Sequence, residues 1–417
     1  MTQPPGRWIP PQGLIFGQLA HGASWALLLV MAMRGLAGLP ALGWVHLVAL
    51  GWLTMTALSI LVHVIPAFTD AVWRWESLAR RSLIVYAIGV LLLVGAFCTS
   101  ALRVLPWGGT LVALGLIGYT APAGMTLAHA LRVGREEAGI ARALATTLGF
   151  LLLAAGLGVA FTWALNGRLP VSLLTVGPPV HAELGMIGWL TVLAMGVSAR
   201  TVGPITGGRS RQPLIYATVG FSQVLGVLGV GAGSALRLPA LIWIGTAVLG
   251  IGVLVYVADL AEVLRRATVR HRPPQAFLVA AAVWLVAAFI LGVGALGGEN
   301  WGPAFIYVMF IGWLGQIVNA NLHHIGIRLL ATAFRGDDDE TRPDDLLSPT
   351  LSWTTFVLFQ TAVILGALAL FADGSALLSS AALAGLIGWA AMVANVLHAA
   401  RRARRPPTTV ISLLPMR

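Results

Sequence analysis

Histidine is the residue of this chain best suited to chemistry: nine are present against a single cysteine, and most fall within long apolar stretches. A neutral imidazole ligates haem iron, copper and zinc, and an ionisable side chain inside a bilayer needs a partner or a purpose. Two histidines introduce related segments, His46-Leu-Val-Ala-Leu-Gly51-Trp52-Leu53-Thr54 and His181-Ala-Glu183-Leu-Gly-Met-Ile-Gly188-Trp189-Leu190-Thr191. A third, Phe305-Ile-Tyr307-Val-Met-Phe-Ile-Gly312-Trp313-Leu314-Gly315, repeats the core without the histidine. Aligned on Gly-Trp-Leu, the copies lie 137 and 124 residues apart, room for about four membrane spans each. Twelve positions after each glycine stands His63, Arg200 or His324. Self-similarity at this interval predicts three copies of a four-helix unit.

The elements that carry these residues are set by composition. A chain of 417 residues that is 58% hydrophobic and 10% charged, with a mean hydropathy of +0.87, is a polytopic helical membrane protein. Twelve spans are expected at about 14–35, 43–67, 82–103, 107–131, 140–165, 180–204, 214–236, 239–264, 275–297, 303–330, 350–372 and 376–401. They form one membrane domain, with pseudo-repeats over about 14–131, 140–264 and 275–401, each an arc of four helices. The N-terminal stretch carries one positive charge and no small-residue cleavage motif comes after span 1, so that span is read as retained.

The net charge of +11 does not indicate nucleic acid, because every basic residue is arginine and the arginines gather in alternate loops. Arg74, Arg80 and Arg81 follow span 2; Arg132, Arg135 and Arg142 follow span 4; Arg209 and Arg211 follow span 6. Arg265, Arg266, Arg270 and Arg272 follow span 8, and a basic tail at 402–417 ends the chain. The bias places both termini in the cytoplasm, in a bacterial-type inner membrane. The acidic run at 335–347 lacks the ligand alternation of a calcium loop and reads as a solvated cytoplasmic loop. The lone cysteine, Cys98, excludes a disulfide framework, and the chain has no Cys-X-X-Cys-His motif for covalent haem.

With that topology, His46 and His181 sit at one level near the outer surface, and His63, His129, His323 and His324 near the inner one. His21 approaches the inner layer from span 1. Seventeen residues of helix separate His46 from His63, about 25 Å, so they serve different sites. His323 and His324 diverge by about 100° on an unbroken helix, so one faces a site and the other packs. Glu183, Tyr119 and Tyr307 are candidate hydrogen-bond partners for a ligating imidazole. Gly51 and Gly188 either let a planar macrocycle approach the backbone or serve close helix packing. Arg200 is a candidate anchor for a haem propionate, or snorkels to the inner headgroups. His398 and His271 adjoin basic loops and read as interfacial.

Twelve spans in three arcs, with histidine at the outer start of span 2, resemble subunit I of the haem-copper oxidase and nitric oxide reductase superfamily. The more similar branch is its divergent NnrS-type haem- and copper-containing membrane proteins. The stretch from His181 through Arg200 to Gly208 resembles that family's histidine-led, glycine-rich span, and Trp44-Val45-His46 through Pro66 resembles its Trp-His opening and proline-containing exit. The resemblance implies His46 as a low-spin haem ligand and His181 as the position of a copper ligand. Two departures stand out: Ile215 to Leu236 carries no His-His pair, and Phe305 and Tyr307 stand where a His-x-His would. The standard oxygen-reducing centre is therefore incomplete.

The expected cofactor is b-type haem, with copper as a second metal, bound first by His46 and His181. An inner set of His63, His129, His323 and His324, with His21 and Arg200, forms a second candidate site. The implied role is electron transfer or nitric-oxide and oxygen handling, with quinol or another redox partner as donor, in an oxidoreductase whose active site is degenerate. The competing reading is a proton-coupled secondary transporter that uses the buried histidines as relays.

Overall fold

The computed structural model describes residues 12–133, 138–268, 272–335, 342–372 and 374–404. The basic tail beyond 404, His271 and residues 336–341 of the acidic run lie outside the described residues. Among those described there are helices and no strands, and twelve helices are long and apolar enough to cross a membrane. They are α1 (Gln12–Arg34), α2 (Leu39–Thr69), α3 (Glu76–Thr99), α4 (Leu105–Arg132), α5 (Ala138–Leu165) and α6 (Gly177–Thr206). The second half comprises α7 (Gln212–Leu236), α8 (Pro239–Arg265), α9 (Pro273–Leu296), α10 (Gly302–Arg335), α11 (Pro349–Ala372) and α12 (Ser375–Ala403).

The three repeat-bearing helices occupy the centre. In their most apolar stretches 72%, 61% and 78% of residues are buried in α2, α6 and α10, against 50% or less elsewhere, so lipid reaches the other nine and hardly these. Around them the same packing relation recurs. Gly51 lies against Ala20 of α1, Gly188 against Phe150 of α5 and Gly312 against Trp284 of α9; an added methyl would stand 3.0, 2.7 and 3.0 Å from those side chains. Close helix packing is thus what Gly51 and Gly188 provide in this structure. The hairpins α3–α4, α7–α8 and α11–α12 pack tightly, and α4 touches α5, α8 touches α9 and α12 touches α1, closing a ring.

The repeated core is not α-helical. Leu47–Thr54, Leu184–Thr191 and Val308–Leu314 are π-helices, one in each central helix, and a fourth spans Leu322–Gly326. A π-turn widens the helix and is uncommon away from functional sites. Thr191 marks the wider turn, its Oγ1 donating to Met186 O five residues back at 2.9 Å. The three segments meet at the axis through their tryptophans. Trp189 Nε1 donates to Thr54 Oγ1 at 3.0 Å, and Trp313 Nε1 donates to Thr191 Oγ1 at 3.3 Å. Each repeat thereby locks onto the one before it through an indole and a hydroxyl that are both buried. On one side of these links α2, α6 and α10 flank a half-open cavity of about 90 Å³, lined by Leu53, Leu61, Leu190, Leu193, Leu314 and Ile317, with Thr56 and Asn321 as its few polar groups.

A candidate metal clasp at the outer histidines

His46 ends the α-helical first turns of α2, directly before its π-segment. Its Nδ1 lies 2.7 Å from Leu42 O, one turn back. His181 lies two residues further from the π-segment of α6, and its Nδ1 lies 2.9 Å from Ala154 O on α5. A carbonyl oxygen can only accept, so both Nδ1 atoms carry the proton and donate. Both Nε2 atoms then present lone pairs. This is the tautomer a metal needs, fixed by the kind of outer hydrogen bond that orients ligating imidazoles.

The structure brings the two rings together: their centroids are 6.2 Å apart and their planes 23° from parallel. A metal placed between two imidazole nitrogens at about 2.0 Å from each, with roughly 1.1 Å from nitrogen to ring centre, separates the centroids by about 6.2 Å. The centroid spacing is the one that two imidazoles have when both nitrogens face one ion. Phe97 stacks on His46 at 5.0 Å, and Phe161 meets His181 edge-on at 5.6 Å. Two glycines make the room: a methyl on Gly158 would stand 3.1 Å from His181 Cε1, and one on Gly177 would collide with Phe161 Cζ. Among the described residues no three His, Cys, Asp or Glu side chains form a metal cage.

The two histidines are not repeat equivalents. Counted from the glycine of each Gly-Trp-Leu, the place of His46 is taken by Glu183 in the second repeat and Tyr307 in the third. Glu183 does not orient His181; it is buried near Gly231 of α7, its Oε1 without a protein partner. Tyr307 donates to Ala362 O at 2.8 Å and stacks on Trp44 at 5.9 Å, and Tyr119 donates to Leu58 O at 2.7 Å. The expected support from Glu183 and the tyrosines is thus replaced by two backbone carbonyls, a partner type that residue identity cannot reveal.

The inner histidines are not gathered in the same way. His63 is half-buried within electrostatic reach of Arg80 and Glu76, whereas His324 feels Arg328 and Arg272. His129 is exposed on α4. His323 is buried, its Nδ1 2.8 Å from Asn319 O and its ring 5.3 Å from Phe277. The two consecutive histidines sit in the fourth π-segment, so the α-helical angle between them does not apply. Arg200 turns to Phe68 of α2: its Nη2 donates to Phe68 O at 3.4 Å and its guanidinium lies over the Phe68 ring. His21 belongs to the centre, stacked on Trp52. His398 is half-buried on α12.

No protein-family model matches this chain, and no curated protein matches it.

Proposed function

We propose that this protein is a metal-binding redox protein of the cytoplasmic membrane, holding b-type haem between His46 and His181. The observation that carries the reading is the pair itself: two imidazoles with ring centroids 6.2 Å apart, each with Nδ1 held by a backbone carbonyl and Nε2 left as the ligating nitrogen. His46 and His181 would hold the iron, and Phe97 and Phe161 would shield the imidazoles from water. The haem would supply reversible one-electron chemistry. Copper is the second metal these two imidazoles would hold, since imidazole nitrogen is a ligand that suits it.

The haem-copper superfamily resemblance, with its incomplete second metal site, favours electron transfer or gas handling over oxygen reduction. A quinol in the bilayer is the donor such a role calls for. The central cavity supports the gas reading: its wall is almost wholly aliphatic and its volume of about 90 Å³ accepts a diatomic molecule but not a hydrated ion. Both termini are assigned to the cytoplasm from the arginine bias.

The test is expression in haem-replete cells, followed by absorption spectroscopy, pyridine haemochrome assay and elemental analysis of the purified protein. Stoichiometric haem b supports the proposal, copper without haem selects the second metal, and a colourless preparation free of iron and copper defeats it.

A further inference from the structure

Among the described residues, eight of the buried side-chain atoms without a hydrogen-bond partner gather around one corner of α1, α2 and α10: both amide atoms of Gln18, both ring nitrogens of His21, Nε1 of Trp25 and Trp52, Oγ1 of Thr56 and Nε2 of Gln316. They are grouped by packing. Gln18, His21 and Trp25 share one face of α1 by their spacing. His21 stacks flat on Trp52, centroids 3.6 Å apart and planes within 3°. Phe359 of α11 faces His21, Trp25 and Trp52 at 5.7, 5.8 and 6.3 Å. Thr56 lies one turn along α2, against Gly17. Gln316 follows Gly315, which touches Trp52, and uses its Oε1 to accept from Gln360. None of His21, Trp25, Trp52, Thr56 and Gln316 is more than 1% exposed.

The repeat explains why the group exists. Trp189 and Trp313 each donate to a threonine three residues after the glycine of the preceding repeat. By the same rotation Trp52 would donate to residue 315, which is glycine. A side chain there would be crowded, because its Cβ would stand 3.0 Å from Trp52 Cη2 and 3.2 Å from Phe359. One corner of a threefold arrangement therefore keeps its polar atoms without giving them protein partners, at a depth where nearly all such atoms are satisfied.

We infer that this corner binds a cluster of internal water, with His21 as its exchangeable proton donor and acceptor. A neutral imidazole has one N–H and one lone pair, and stacking on Trp52 leaves both at the ring edge. A buried water makes about three hydrogen bonds, so eight donor and acceptor atoms suit about two or three waters. Gln18 and Thr56 add donors and acceptors to the imidazole, and Gln316 adds a donor through its free Nε2. The corner stands apart from the outer metal clasp and shares none of its residues.

X-ray radiolysis of the full chain in H₂¹⁸O tests it, because radicals born from bound water mark the side chains that touch that water. Trp52 and Trp25 should incorporate ¹⁸O at least about tenfold faster than Trp189 and Trp313, which are equally buried but bonded to threonine. Equal rates at all four overturn the inference. His21→Phe keeps the stack and removes both nitrogens, so labelling of Trp52 should fall towards that of Trp189; an unchanged rate in a folded variant also overturns it. Should that variant not fold, the wild-type comparison alone decides.

Discussion

Gly188→Ala separates a packing role for the repeat glycines from a role in cofactor approach. The new methyl would lie 2.7 Å from Phe150 Cγ and 3.0 Å from its Cβ and Cδ1. Carbon contacts settle at about 3.5–4.0 Å, so α5 or the Phe150 ring must retreat by most of an ångström. Overpacking of this kind costs about 1–3 kcal/mol. Replacing glycine by alanine in a helix returns about 1 kcal/mol, which leaves a net loss of about 1 kcal/mol. Gly149, the neighbour of Phe150, has nothing within 4 Å of a built Cβ, so Gly149→Ala keeps the gain and loses nothing. The two variants should differ by about 2 kcal/mol in denaturant or thermal unfolding of the purified protein. Phe150→Leu in the Gly188→Ala background should recover part of the loss, because the smaller side chain yields. A Gly188→Ala protein as stable as Gly149→Ala, with metal content reduced instead, would refute the packing argument.

The remaining predictions concern the core, one helix start and topology. Thr54→Val strands the buried Trp189 indole N–H; a double-mutant cycle with Trp189→Phe should give a coupling of about 1 kcal/mol, and zero coupling would show the link to be idle. Asn395→Ala should cost about 2 kcal/mol, since the amide accepts from Ser348 N at 2.8 Å and donates to Ser352 Oγ at 2.7 Å where α11 begins. Unchanged unfolding would contradict that. A single cysteine at Thr268, in a Cys98→Ala background, should react with an impermeant maleimide only from the cytoplasmic side; labelling from outside would reverse the topology.

The spans were legible because an apolar run long enough to cross a bilayer has few alternatives. Their ends were less so. α3 starts at Glu76 rather than near 82, because Glu76 and Arg80 pair at a spacing of four and carry the helix into what reads as loop. α10 likewise runs on to Arg335. The outer histidine pair was legible in type and level, but not in its support. Carbonyls of Leu42 and Ala154 leave no trace in residue identity, whereas Glu183 and Tyr307 advertise a role they do not have here. The π-turns were hidden for a different reason: an apolar run looks the same whether it closes at four residues or five. The threonine after two of the three Gly-Trp-Leu cores, and the glycine after the third, were the available signs of the axial links and of the corner where they stop.

A single metal held between His46 and His181 is the central claim. Low-temperature electron paramagnetic resonance of the oxidised protein tests it most directly, on the wild type and on His46→Ala, His181→Ala and His398→Ala. A low-spin ferric signal of bis-imidazole type is expected in the wild type and in His398→Ala. Either outer substitution alone should convert that signal to high-spin or abolish it. A haem signal that survives both outer substitutions unchanged, or a protein that binds neither haem nor copper, would contradict the claim.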